Sequence, residues 1–227
     1  QVYCKLSYQG YTLDTNTVPV TFNTCPHEKY TNEGKCQQCG EPCSKDVLFI
    51  RNGIPYTFEG DNPEVGFILF SGGTAYFVRD TNATLKAGNG EPANKMDITL
   101  DLQGHKVKTL DLQNFAYKSV TIKNGTINDI ATSAPAVLIL DSVTTSAGTL
   151  DKLFTLTVKG DCVFKSQVNF LGKTQLQGGT FQNGIWVETG ALALALLAEG
   201  YAFADADSNE ILNASNVSIQ GENVKLV

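Results

Sequence analysis

Along most of this chain apolar and polar residues alternate in short runs, and each run is closed by Asn, Gly or Asp. Phe67 to Phe70, Ile98 to Leu102, Ser119 to Ile122, Val137 to Leu140, Phe154 to Val158 and Val168 to Leu171 read as half-buried β-strands of period two. The runs repeat one another. Ile122-Lys-Asn-Gly125-Thr-Ile127 aligns with Leu176-Gln-Gly-Gly179-Thr-Phe181. Looser copies start at Leu102, Val158 and Ile219, and a shorter one at Leu112. Each is an apolar strand, a tight Gly or polar corner, and an apolar residue that opens the next strand. Gly104 to Gly125 is 21 residues, and Gly125 to Gly179 is 54, between two and three such spacings.

A coil of about 20 residues with short strands and Gly/Asn corners predicts an all-β fold, a right-handed parallel β-helix. An antiparallel sandwich is the competing reading, but the two-residue hairpin turns it requires are missing. Cys162 falls in an inward row and reads as a buried free thiol. Glu188 to Glu199 is the one helix candidate, with Thr189 as cap, Ala and Leu within and Gly200 at its end. Tyr201 to Leu212 then reads as a hairpin around Asp205-Ala-Asp207-Ser-Asn209. Helix and hairpin, residues 188–215, are expected to cap the solenoid, because an uncovered end is a sticky edge.

Composition divides the chain. Five of six cysteines (Cys4, Cys25, Cys36, Cys39, Cys43) fall in the first 43 residues. Residues 1–45 are therefore read as a Cys-rich module and 46–227 as the β-helix with its cap. The first residue is Gln1 and no signal peptide is seen, so we expect a processed or excised piece of a longer protein. The net charge of −6 lacks the basic footprint of a nucleic-acid binder. There is no run of 18 apolar residues, so no membrane insertion is expected. Two His and two Arg leave little material for His-based catalysis or for phosphate clamps. Sequons at Asn82, Asn124, Asn213 and Asn216 fit a β-rich surface.

The lines "ITLDLQGHKV", "VTIKNGTI" and "TQLQGGTFQNGIWVETGALALALLAEGYAFADADSNEI", with the cluster "CPHEKYTNEGKCQQCG", resemble β-helical regions of large cell-surface proteins of Gram-positive gut and oral bacteria. The resemblance covers residues 25–43 and 97–215, and "LLAEGYAFADAD" is its most specific part. It implies a surface module that binds or spaces, and no particular chemistry.

Cys25-x-His27-x8-Cys36-x2-Cys39 offers four N/S donors, the set a tetrahedral Zn²⁺ takes in a structural site. Cys43 is an alternative fourth donor in place of His27. Zinc on Cys25, Cys36 and Cys39 leaves Cys4 and Cys43 as a disulfide candidate. A full disulfide cluster is the competing reading, and a redox Cys36/Cys39 pair is a third. A β-helix polysaccharide lyase or hydrolase would need carboxylates from adjacent rungs on one face, and Asp97, Asp101, Asp111, Asp129, Asp141 and Asp161 are the candidates. Asp101 and Asp111 sit in Leu-Asp-Leu triplets, point outward and fall on different faces. Asp205 to Asn209 starts like a calcium loop but lacks its Gly and its final Glu. Aromatics crowd the first 80 residues. The Phe residues read as core, while Tyr8, Tyr11, Tyr30, Tyr56 and the later Trp186 are candidate ligand-binding side chains.

The expected function is a non-enzymatic adhesin domain, extracellular on a bacterial surface and monomeric, with structural zinc. Its partner would be a host protein, such as a mucosal glycoprotein or immunoglobulin, or a host glycan. A rigid stalk and a carbohydrate-active enzyme are the alternatives.

Overall fold

The computed structural model describes residues 5–8, 11–14, 25–57, 64–67, 73–87, 97–111, 118–131, 137–150, 155–170, 173–186, 195–212 and 223–227. Eighteen strands run through them. The first two, β1 (Lys5–Tyr8) and β2 (Tyr11–Asp14), pair antiparallel with each other. Next come β3 (Val47–Arg51), β4 (Ile54–Thr57), β5 (Glu64–Phe67), β6 (Gly73–Phe77), β7 (Thr81–Ala87), β8 (Asp97–Asp101) and β9 (Lys106–Asp111). The long strands are β10 (Ser119–Ala131), β11 (Val137–Thr145), β13 (Thr155–Phe164) and β15 (Lys173–Phe181). Short ones lie between and after them: β12 (Thr149–Leu150), β14 (Val168–Phe170), β16 (Ile185–Trp186), β17 (Phe203–Asp205) and β18 (Val224–Leu226).

The architecture is a parallel β-solenoid of about four turns. Its first face stacks β6, β8 and the leading halves of β10, β11, β13 and β15, all in parallel register. A second face stacks β5, β7, β9 and the trailing halves of the long strands. The third, β12–β14–β16, is parallel as well. Parallel pairing excludes the antiparallel sandwich. Leu138 lies beside Val120, Leu156 beside Leu138 and Thr174 beside Leu156, so three successive turns take 18 residues each. The 54 residues from Gly125 to Gly179 are thus three turns, and the turn missed in the sequence is the one through Leu140-Asp-Ser-Val143.

Alternation explains the core. On the first face the inward row is Ala75, Leu100, Ile122, Leu140, Val158 and Leu176, each at most 2% exposed and each directly above the next. Phe164 and Phe181 stack at 4.9 Å between centroids, and Phe170 meets both edge-on. Cys162 is buried in this interior as expected. It donates to the Lys159 carbonyl and accepts the Val143 N–H, and burial pushes its thiol pKa up.

The long strands bend at one column of corner residues. Asn124 (φ 57°), Ser142 (φ 57°) and Gly160 (φ 64°) all adopt the left-handed conformation at successive turns. Asn and Gly tolerate that region. Gly125, beside this column, has no room for a side chain: a Cβ there would lie 2.3 Å from the Cβ of Leu102.

Chain direction reverses over part of each end of the stack. At the start, β3 pairs antiparallel with β6 and β4 pairs antiparallel with β3, and every residue of β3 is buried. At the far end β18 pairs antiparallel with β15, and β17 pairs antiparallel with β18. The expected hairpin is present: Ala204 bridges Ile211, and Leu212 N–H donates to the Phe203 carbonyl. The expected helix over 188–199 falls largely outside the described residues, of which Ala195 and Leu196 at its end are helical. None of the described helices is long and apolar enough to cross a membrane.

Phe181→Ala, which opens the aromatic stack, should cost about 3–5 kcal/mol in urea unfolding. Gly125→Ala should cost about 1–3 kcal/mol through overpacking. Gly104→Ala, at φ +86° but facing open space, should cost only about 1 kcal/mol. Equal losses for the two glycine variants would contradict the packing described here.

Candidate metal centre and surface side chains

Residues 30–43 fold by turns rather than by an apolar core. Gly34 N–H returns to the Thr31 carbonyl, Thr31 N–H binds the Lys35 carbonyl, and Tyr30 bridges Cys36 antiparallel. The chain turns again between Cys36 and Gly40, where Gly40 N–H donates to the Cys36 carbonyl. Glycine is required at Gly34, which has φ +78°, and a Cβ there would press on the Cys43 Sγ and on Val78 at 3.0 Å. These turns set Cys36 and Cys39 against Cys25 and His27. The latter holds the left-handed conformation, φ 51°.

The donor atoms of Cys25, His27, Cys36 and Cys39 all lie within 4.8 Å of one another. Cys25 Sγ is 3.3 Å from Cys36 Sγ, and Cys39 Sγ is 3.8 Å from His27 Nδ1. Donors placed tetrahedrally about one ion, with metal–sulfur bonds near 2.3 Å, stand about 3.5–3.8 Å apart. The four groups can therefore hold a metal ion with small adjustments. Among the described residues this is the one group of three or more His, Cys, Asp or Glu side chains so placed.

The backbone prepares a thiolate here. N–H groups of Cys39 and Gln38 point at the Cys36 sulfur and lower its pKa to about 6. At Cys25 the His27 N–H acts in the same sense, but partial burial and the neighbouring Cys36 and Cys39 outweigh it and raise the pKa to about 11. The Cys36 sulfur and Gln38 Oε1 both lie 3.3 Å from the Cys25 thiol, within reach of its proton. A bound cation would replace that proton.

The module is tied to the solenoid rather than free-standing. Tyr30, Cys36, Val47 and Ile50 form a second small core, with Cys25, Cys43 and Val78 against it. Gln103 Nε2 donates to both the Asn32 and the Phe77 carbonyls at 2.9 Å. Arg79 Nε donates to the Val47 carbonyl. Asp80 accepts the Lys106 N–H and the His105 ring, and these hold its carboxyl below the usual range.

The other expected site residues fall apart. Tyr30 is corrected: at 7% exposure its ring belongs to that second core, which is short of apolar residues and recruits it. Tyr56 is half-buried, stacked on Phe49 at 4.7 Å. Trp186 faces outward, 39% exposed, beside fully buried Ile185, as the alternation suggested. Tyr8 and Tyr11 are cross-strand partners in the β1–β2 hairpin, and their side chains lie outside the described residues. So does Cys4, and with it the pairing to Cys43, whose thiol is free here.

Three of the six carboxylates weighed for catalysis, Asp97, Asp101 and Asp141, are paired with lysines, while Asp161 is exposed. Asp101, expected to point into solvent, is buried. It sits at the corner where it accepts the Gln103 N–H and Asn124 Nδ2, and it pairs with Lys123 at 3.2 Å. Asp141 pairs with Lys159 at 3.2 Å, and Asp97 with Lys118 and Ser119. Register places Asp101, Lys123, Asp141 and Lys159 in one column of alternating charge. The sequence reading missed this ladder, although a period of 18 aligns Lys123, Asp141 and Lys159. At the C-terminal hairpin, Asp205 Oδ1 accepts the N–H groups of Asp207 and Ser208. The Lys225 ammonium, bonded to Asn209 Oδ1, stands where a cation would go.

No protein-family model matches this chain, and neither does any curated protein or solved structure.

Metal titration should give one equivalent per chain. Cys36→Ser or Cys39→Ser should weaken binding at least tenfold, and Cys43→Ser or Cys162→Ser should leave it unchanged. The native state binds the Asp80 proton more weakly than the unfolded chain. Its contribution to stability is thus complete above about pH 4 and is lost as pH falls through the lowered native value. Asp80→Asn should flatten that arm of the stability curve, with wild type and variant converging in acid.

Proposed function

We propose that this chain is a non-enzymatic, ligand-binding domain of a bacterial cell-surface protein, acting outside the cell on a host protein or glycan, with a structural zinc ion clipping its N-terminal module. The observation that carries this reading is the shortness of the stack, with an antiparallel strand lying over part of each end. A stalk gains length by stacking turn upon turn. The six strands stacked on the first face, about 4.8 Å apart, span only about 24 Å, and a reversed strand lies at each end, β3 on β6 and β18 on the end of β15. What such a unit offers is its lateral surface. A polysaccharide-cleaving enzyme would keep carboxylates free on adjacent turns, whereas Asp97, Asp101 and Asp141 are all neutralised by lysines.

Zinc is the ion that suits three thiolates and an imidazole, and four protein ligands leave no open position for catalysis. The bacterial surface rests on the resemblance of the repeat lines and of "LLAEGYAFADAD". Trp186, with its ring in solvent, is the contact side chain we assign first.

Native mass spectrometry should show a mass excess of one zinc that chelation removes. A chain short by four or six hydrogens and free of metal would replace the clip with disulfides. The immobilised chain should retain a host mucosal glycoprotein, and Trp186→Ala should weaken retention about tenfold. Release of unsaturated or reducing sugars from acidic polysaccharides would overturn the non-enzymatic reading.

A further inference from the structure

A groove of about 380 Å³ opens on the outer surface at the C-terminal end of the corner column. It is lined beside a glycine corner. The corner carries Asn124 and Ser142 on two turns, then Gly160 and Gly178, which stand directly side by side. The turns pack closely there, since a Cβ on Gly160 would lie 2.5 Å from Ser142 Oγ and one on Gly178 would lie 2.6 Å from the Gly160 carbonyl oxygen, and the backbone of Gly160, Gly178 and Gly179 lines the groove. The ladder is also irregular here: β13 and β15 lose register between Gly160 and Val163. A bulge of that kind leaves peptide groups outside regular pairing. Antiparallel β18 forms the far wall, with Lys225 directly opposite Thr180 and on the same outer side.

The lining defines a ligand chemistry. Asp161 offers a carboxylate, Gln177 an amide and Thr180 a hydroxyl, while Val163 and Leu226 add apolar surface. Asp161 and Lys225 are the two charged side chains of the lining, and they are of opposite sign. The Lys225 ammonium is bonded to Asn209 and also faces Asp205, whose carboxyl is held below the usual range chiefly by the Ser208 N–H and side chain, with Lys225 helping. Its charge is thus already balanced. A lone anion would meet Asp161, and a lone cation would meet Lys225. An uncharged molecule rich in hydroxyls, with an apolar C–H face, matches every group present: a carboxylate accepts two vicinal hydroxyls, and amide, hydroxyl and ammonium complete the set.

We propose that this groove is a binding site for one neutral sugar unit of a glycan. The proposal deepens the reading of the chain as a binding domain and rests on it. The groove is a different place from Trp186, and the two can be tested apart.

The test uses the full chain labelled with ¹⁵N, titrated with methyl glycosides of neutral hexoses and N-acetylhexosamines, then with a uronate and an unacetylated amino sugar. Saturable shifts at the amides of Gly160, Gly178 and Gly179 are expected with a neutral glycoside, and the charged sugars should bind about tenfold more weakly. Thr180→Trp, which fills the groove from an outward position, and Asp161→Ala should each weaken binding about tenfold, equivalent to about 1.4 kcal/mol. Trp186→Ala should leave these shifts unchanged. Gln177→Ala, at a solvent-facing position, serves if Thr180→Trp does not fold. The proposal is overturned if no neutral sugar moves these amides into the tens of millimolar, if a charged sugar binds more tightly, or if the groove variants bind as wild type does. Retention of the host glycoprotein by Thr180→Trp, with no sugar shifts in wild type, would remove the groove and leave the binding-domain reading standing. Loss of both would remove both.

Discussion

Every turn of this molecule depends on in-register parallel stacking of one inward apolar row. A single turn of 18 residues cannot bury Leu140 or Val158 by itself; Leu140 becomes inaccessible because Ile122 and Val158 flank it, and Val158 because Leu140 and Leu176 do. The constraint is strict, since a slip of one residue would turn every leucine outward. It also sets what happens at the outer surface. Whatever occupies a position in one turn stands about 4.8 Å from its counterpart in the next, so outward residues form columns as well. The Asp101–Lys123–Asp141–Lys159 column is the charged version, arranged so that each ion meets its opposite rather than its like. The corner column is the conformational version, with Asn, Ser and Gly sharing one left-handed backbone geometry.

Stacking leaves two ends, and the chain deals with them by different chemistry. At the far end a reversed strand, β18, lies on β15 and buries Val224 beside Phe181. At the near end β3 and β4 reverse direction, and the Cys-rich module sits outside them. That module has only Tyr30, Cys36, Val47 and Ile50 for a core of its own. So few apolar side chains cannot offset the entropy of ordering some twenty residues. The cluster of Cys25, His27, Cys36 and Cys39 could hold a metal ion that supplies what the core lacks, and the polar ties from Gln103 and Arg79 fix the module to the first turns.

The proposed binding function rests on where the columns are interrupted. A perfectly regular solenoid presents a flat, self-satisfied surface. Two departures stand out here: Trp186, an aromatic ring left in solvent on the third face, and the glycine corner, where two turns present backbone in place of side chains. Both lie on the lateral surface that the reversed end strands leave available.

Much of this was legible in the sequence. Short strands closed by Gly and Asn, and the matching segments at Ile122 and Leu176, determine a solenoid, because only stacked copies can bury those apolar rows. The Cys-x-His and Cys-x-x-Cys spacings name the four groups that the fold gathers into a possible metal site, since local turns bring such neighbours together whatever the rest of the chain does. The inward thiol of Cys162 and the outward ring of Trp186 follow from period-two alternation. Other features required the tertiary structure. The turn length of 18 was hidden because Leu140-Asp-Ser-Val143 carries no corner glycine, and only pairing with its neighbours reveals it as a repeat. Asp101 alternates like an exposed residue, yet Lys123 and Asn124 of the next turn close over it. Tyr30 looks like a surface aromatic and is buried, because a module so poor in apolar residues takes its core from wherever the fold brings one near. Sequence alone determined the periodic and the local features of this protein. Contacts between turns decided which polar groups are buried, which charges are paired and where the surface opens, because those depend on residues about eighteen positions apart that meet only once the chain is coiled.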